Sequence, residues 1–188
     1  MMKQEINNAI EVLRTSGIIL YPTDTIWGIG CDATNKKAVE KILKIKQRAE
    51  SKNLIVLVKD KKSLNKYVKK VPAIAWNLIE LTDLPLTIIY EDARGLASNV
   101  IATDGSVGIR ITSDTFCKKL MHKFGKPIVS TSANISGQKN SGIFSEIPDE
   151  IKKYVDYIVN FRQNETKLFL PSVIIKIKNN GEFTILRK

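Results

Sequence analysis

Histidine and cysteine are scarce in this chain, and their scarcity narrows the chemistry. His122 is the only histidine and follows Met121 in a segment of helical periodicity, so a Ser-His or Cys-His triad has little to build on. The two cysteines, Cys31 and Cys117, lack CxxC spacing and a neighbouring histidine. That argues against a metal site or a disulfide framework and for a reducing compartment. No apolar run approaches the ~18 residues of a membrane-spanning helix. The opening MMKQEINNAIEVL reads as an amphipathic helix rather than a signal peptide. A cytoplasmic protein with no membrane association is expected. GxGxxG and the Walker A lysine motif are both missing. Acidic residues are the minority: 30 Lys and Arg stand against 19 Asp and Glu, a net charge of +11. Such a balance attracts polyanions, although generic surface lysine accounts for part of it.

What is present suits one domain spanning 1–188, with 43% hydrophobic and 26% charged residues and enough chain for a full core. No repeat, low-complexity linker or composition break marks a second unit. Ile6, Ala9, Ile10 and Leu13 make a helical stripe ending before Gly17, and Ile18 to Tyr21 is a strand buried on both faces. Thr23 to Gly30 reads as a polar loop whose glycines allow close approach to a ligand or a turn. Strands are expected at Leu54–Val58, Leu86–Tyr90, Val107–Ile111, Pro127–Val129, Tyr157–Val159, Val173–Ile177 and Phe183–Leu186, the last two joined by a turn at Asn179-Asn180-Gly181. Helices are expected at Ala73–Leu81, Ser113–Phe124 and Ser145–Val155. Glu91 to Ser106 is long for a loop, which suggests a binding loop or lid.

Lys46-Gln47-Arg48 lies between an amphipathic helix, capped by Thr34 or Asn35, and the Leu54 strand. Side chains two apart diverge on a helix and share a face on an extended chain. A helix that stops near Lys46 lets Lys46 and Arg48 converge on one anion; a solvated helix end is the other reading. Arg110 alternates with Ile109 and Ile111 inside a strand. Ser130-Thr131-Ser132-Ala133-Asn134 follows a buried strand, where open α/β sheets hold ligands. The lysines from Lys59 to Lys70 read as a solvated helix face.

Three motifs in order carry a resemblance: Tyr21-Pro-Thr-Asp-Thr-Ile-Trp-Gly-Ile-Gly30, Lys46-Gln-Arg48 followed by Lys52-Asn-Leu, and Ser130-Thr-Ser-Ala-Asn-Ile-Ser-Gly137. Together they resemble the YrdC/TsaC-like family of threonylcarbamoyl-adenylate synthases, and the likeness continues through Pro171-Ser172-Val173 to Leu186-Arg187. It implies an α/β fold, a twisted mixed open sheet with flanking helices around a basic cavity. It implies a nucleotidyltransferase that joins L-threonine, bicarbonate and ATP, releases pyrophosphate, and supplies the t6A modification of tRNA. By this resemblance Lys46 and Arg48 are catalytic. Arg48, Lys52, Ser106, Ser132, Asn134, Asn140 and Arg187 hold ATP. Thr25, Arg110, Ser130 and Ser172 form the threonine side. Mg2+ rides on the phosphates rather than in a protein cage. The implied partners are tRNA and downstream proteins that transfer the product; no further C-terminal domain is expected.

Such chemistry asks for alignment and phosphate-charge stabilisation, so it needs no catalytic histidine. The departures are Ala49, where many members have proline, Leu57, where some have histidine, and Pro171-Ser172 in place of Ser-Thr. Two other readings fit: a non-catalytic RNA-binding module, and a paralogue forming a different carbamoyl or acyl adenylate.

Overall fold

Alternation of side chains along the strands decides which face of the sheet each residue joins, and helical stripes decide what covers that face. The computed structural model describes residues 1–47, 54–135, 142–166 and 169–188. Helix α1 (Met2–Arg14) precedes β1 (Ile19–Tyr21), β2 (Gly28–Asp32), α2 (Lys36–Ile45), β3 (Ile55–Val58), α3 (Lys61–Tyr67) and α4 (Ala73–Leu81). Then come β4 (Leu86–Tyr90), β5 (Val107–Ile111), α5 (Thr115–Phe124) and β6 (Ile128–Ser132). Helix α6 (Asp149–Tyr154), β7 (Tyr157–Ile158), β8 (Val173–Ile177) and β9 (Phe183–Arg187) complete the order. The strands form one mixed sheet, β7-β1-β2-β6-β3-β5-β4-β8-β9. The pairs β7–β1, β3–β5 and β4–β8 are parallel and the others antiparallel.

Caps set the helix ends. Asn35 Oδ1 accepts from the Ala38 N–H at the start of α2, and Asp114 Oδ1 from the Cys117 N–H at the start of α5. Each such cap is worth roughly 1 kcal/mol. Helix α5 stops where Gly125 takes φ 81°, a conformation that favours glycine.

Leu20, Ile29, Val56, Val58, Ile109 and Val129 point to one face, where Val39 and Ile42 of α2, Leu64 of α3 and Ala75 of α4 cover them. Residues of the opposite parity, Ile19, Tyr21, Leu57 and Ile128, pack under Ile10 and Leu13 of α1 and Phe116 and Leu120 of α5. Helix α1 lies over β1, β2 and β7 and against α5. Ile55, Arg110, Ser130 and Ser132 share that second face by register, and there the side chains turn polar.

Several expectations need correction. Gly28 and Gly30 belong to β2, not to a loop. A Cβ on Gly30 would stand 2.5 Å from the Val129 carbonyl oxygen and 2.7 Å from Tyr21 Cε1, so this glycine permits strand packing rather than a turn. Ser130 to Ser132 likewise sit within β6, which fixes their hydroxyls on the sheet. The helix expected over Ser145–Val155 is a 3-10 turn at Phe144–Glu146 and then α6, divided at Pro148. Proline lacks the N–H and disfavours helix at the residue before it. The loop from Glu91 to Ser106 is tied down rather than hinged as a lid. Its Arg94 and Ala97 N–H groups donate to Tyr67 and Ala33 carbonyls, and Ala97 and Val100 are buried.

Gly30→Ala should lower stability by about 1–3 kcal/mol through overpacking. Urea unfolding would show a lower midpoint at unchanged slope; an unchanged midpoint would mean that β6 and Tyr21 yield without cost.

Candidate functional site

The polar part of the second sheet face opens into a cavity of about 410 Å3. Ser130, Ser132 and Asn134 from β6 and its continuation form one wall; Arg110, Ser172 and Arg187 form another, with Thr25 and Trp27 at the edge. Among the described residues two guanidiniums and no carboxylate line it.

Lys46 organises the first wall. Its N–H still donates to the Ile42 carbonyl, and the next residue, Gln47, takes φ 51°, so the chain leaves the helix there, as expected. The Lys46 side chain is fully buried. An ammonium inside a protein costs several kcal/mol unless it is fully hydrogen-bonded. Lys46 Nζ donates to the Ser132 carbonyl at 2.7 Å, to Asn134 Oδ1 at 2.9 Å and to the Asn134 carbonyl. Ser132 Oγ donates to the same Asn134 Oδ1 at 2.6 Å. Lys46 therefore braces the wall from behind rather than standing on it. Its expected companions Arg48, Lys52 and Asn140 lie outside the described residues.

The second wall turns on Arg110, which is 4% exposed. Its Nη2 is 3.1 Å from Asp24 Oδ1, also buried. Asp24 Oδ2 accepts from the Ser113 N–H at 3.0 Å, which fixes the carboxylate. Among the described residues Arg110 Nε has no hydrogen-bond partner, while Asp24 Oδ1 keeps only the ion pair, so the guanidinium has a donor to spare. Arg187 Nε and Nη2 donate to the Ser172 carbonyl at 3.0 and 2.8 Å, and Ser172 Oγ is 2.8 Å from Thr87 Oγ1. Burial, then the charge of Arg110, pulls the Arg187 pKa down, although a guanidinium stays protonated in proteins. Two guanidiniums against one carboxylate leave this end of the cavity positive.

Of the expected residues, Thr25, Arg110, Ser130, Ser132, Asn134, Ser172 and Arg187 come together on the cavity. Thr25 is held by Thr23, whose Oγ1 lies 3.0 Å from Thr25 Oγ1 and accepts from the Thr25 N–H. Ser106 does not join them. Its hydroxyl and N–H both go to Asp104 Oδ1, at 2.6 and 3.0 Å. These bonds and Lys176 lower the Asp104 pKa to about 2, so the carboxylate stays ionised near neutral pH and holds Ser106. Leu57 packs in the α1–α5 core instead of lining the cavity. Both thiols are buried, and burial raises their pKa, which makes them poor nucleophiles.

Asp24 and Trp27 carry no role in the sequence reading yet belong to the site. The usable signal for Asp24 was an acid between two threonines together with a basic residue inside a β run. Trp27 gave none beyond its neighbours; its ring leans on Phe144 at 4.8 Å.

A concave site with convergent hydroxyls and guanidiniums on a mixed sheet defines an α/β protein with a cavity suited to a small anionic ligand. The profile of the Sua5/yciO/yrdC family, described as "Telomere recombination", matches residues 11–188. A threonylcarbamoyl-AMP synthase of Pseudoalteromonas translucida is 34% identical over 155 residues, 81% of this chain and 83% of its own. One of Psychromonas ingrahamii is 35% identical over 140 residues, 72% and 73% of the two chains. The crystal structure of P. abyssi Sua5 complexed with L-threonine has the same fold, with a TM-score of 0.87 at 23% identity. That match covers 97% of this chain and 53% of the other, so the chain spans about half the length of that protein. The chain belongs to the Sua5/yciO/yrdC family.

Lys46→Met should unfold more easily by about 2–4 kcal/mol, because buried oxygens lose their donor at roughly 1–3 kcal/mol each. Chemical denaturation checks this. Wild-type stability in the variant would show that Lys46 braces nothing.

Proposed function

We propose that this chain, acting as a single domain, is a threonylcarbamoyl-adenylate synthase. One observation carries the reading: two arginines and a set of hydroxyl and amide side chains line one cavity. Arg110, with its free Nε, takes the carboxylate of L-threonine, and Thr25 and Ser130 contact its polar groups. Ser132, Asn134 and Arg187 meet the nucleotide, joined by Arg48, Lys52 and Asn140. The amine takes up bicarbonate as a carbamate with loss of water. A carbamate oxygen then attacks the α-phosphorus of ATP, and pyrophosphate leaves. The chain supplies alignment and positive charge to that step, with Lys46 holding the Ser132–Asn134 wall.

Among the described residues no three or more His, Cys, Asp or Glu side chains gather to hold a metal. In this reading a magnesium ion would travel on the ATP phosphates. Names of the relatives and the threonine complex of a fold neighbour support the substrate choice. No described helix is long and apolar enough to cross a membrane. The proposed role is cytoplasmic, in the modification of tRNA.

The test is pyrophosphate release from ATP and bicarbonate with threonine, serine and valine side by side. Threonine should be used best. Valine should be rejected strongly because a pocket polar group loses its partner, and serine should lag by about 1–3 kcal/mol for one missing methyl. Arg110→Ala should raise the KM for threonine more than tenfold, by analogy with ~2 kcal/mol or more for a truncated charged pair, and leave that for ATP nearly unchanged. Valine performing as well as threonine, or no amino acid supporting turnover, overturns the reading.

A further inference from the structure

Asp24 stands behind Arg110 rather than on the cavity. Among the described residues, Thr25, Arg110 and Ser172 line the cavity and Asp24 does not; its side chain is only 6% exposed. A carboxylate so placed acts on a ligand through the guanidinium in front of it. The sheet gives Arg110 no other hold. Its register neighbours are Leu57 on β3 and Thr87 on β4, the first apolar and the second paired with the Ser172 hydroxyl. Among the described residues Asp24 is the only carboxylate within ion-pair distance of Arg110.

Asp24 is itself held from two sides. Its Oδ2 accepts from the Ser113 N–H at 3.0 Å and the Ser113 hydroxyl at 3.3 Å. Ser113 precedes Asp114, which caps α5 and whose Oδ2 takes Arg162 Nη1 at 2.7 Å. The same Nη1 donates to the Thr23 carbonyl at 3.4 Å, and Thr23 Oγ1 donates to the Ile26 carbonyl at 2.8 Å. The chain on both sides of Asp24 is thereby fastened, and the start of α5 is fastened to it. A carboxylate fixed in this way takes one arm of the guanidinium, Nη2, and leaves Nε without a partner among the described residues. Because a guanidinium is planar, a contact at Nη2 restrains the rotation of the plane and with it the direction in which Nε donates.

We propose that Asp24 is a positioning residue for the amino-acid end of the site, fixing the plane of Arg110 so that Nε meets the substrate carboxylate. The proposal rests on the reading that Arg110 takes that carboxylate. It differs in sign from simple competition. Were Asp24 a rival of the substrate for Arg110, removing its charge would tighten amino-acid binding; as a positioning residue, its removal loosens binding.

The experiment titrates L-threonine and, separately, ATP into wild-type protein, Asp24→Asn, Arg110→Gln and the double variant by calorimetry. Asparagine keeps the shape of Asp24 and loses its charge. Asp24→Asn should bind threonine about tenfold or more weakly, a coupling of the size found between residues in contact, and should bind ATP within about twofold of wild type. Because Asp24 acts through Arg110, the double variant should bind threonine within about twofold of Arg110→Gln alone. A role confined to folding would weaken both ligands together and add to the Arg110→Gln loss. Three results overturn the proposal: wild-type threonine affinity in Asp24→Asn, tighter threonine binding by it, or losses that multiply in the double variant. If circular dichroism shows Asp24→Asn unfolded, Asp24→Glu carries the test. It keeps the charge but moves it by a methylene from the place set by Ser113, so threonine should bind about threefold or more weakly; wild-type affinity there overturns the proposal. Wild-type protein that binds threonine but releases no pyrophosphate from ATP and bicarbonate would sink the synthase reading and leave the positioning result standing. Wild-type protein that binds no threonine overturns both.

Discussion

One buried ammonium holds the candidate site in shape. Lys46 closes α2, and its charge lies where only full hydrogen bonding makes burial tolerable. The oxygens that satisfy it belong to Ser132 and Asn134, at the end of β6. The end of a helix is thereby fastened to the end of a strand that is distant in sequence. The wall that presents Ser132 and Asn134 to the cavity exists because the ammonium behind it has nowhere else to go. The left-handed Gln47 next to it ends the helix at the residue where Lys46 can turn inward.

The second condition is an incomplete cover. One face of the sheet meets α2, α3 and α4, while α1 and α5 sit over only part of the other. Along β6 the same parity passes from Ile128, under α5, to Ser130 and Ser132, in the cavity. Strand β3 passes from Leu57 in the core to Ile55 at the cavity in the same way. The α1–α5 core supplies rigidity, and the open half supplies hydrogen-bonding groups on strands rather than loops, which holds them more precisely. Arg110 stands where these halves meet, and its buried partner Asp24 makes a charge tolerable there.

Much of this could be read from residue order. Short apolar runs mark the strands other than β2, Thr34 or Asn35 marks the start of α2, and the resemblance carried by the ordered motifs points to seven side chains that the fold brings to one cavity. What stayed hidden depends on contacts distant in sequence. The partners of Lys46 are mostly backbone carbonyls, which leave no signature in residue types. Gly30 looked like a turn residue because nothing local reveals Tyr21 and Val129 pressing against it. Ser106 matches a ligand position by resemblance, but Asp104, two residues away, takes its hydroxyl and N–H. The break at Pro148 is local in origin, since a proline inside a helical pattern interrupts it for steric reasons.

If the open half of the second sheet face is where the small ligand sits, amide hydrogen exchange with and without saturating L-threonine should register it there. Slower exchange is expected in peptides spanning residues 23–28, 107–113 and 128–135, with unchanged exchange across α3 and the α5–β6 turn. Protection confined to α3 and that turn, or no protection anywhere, would refute this placement of the ligand.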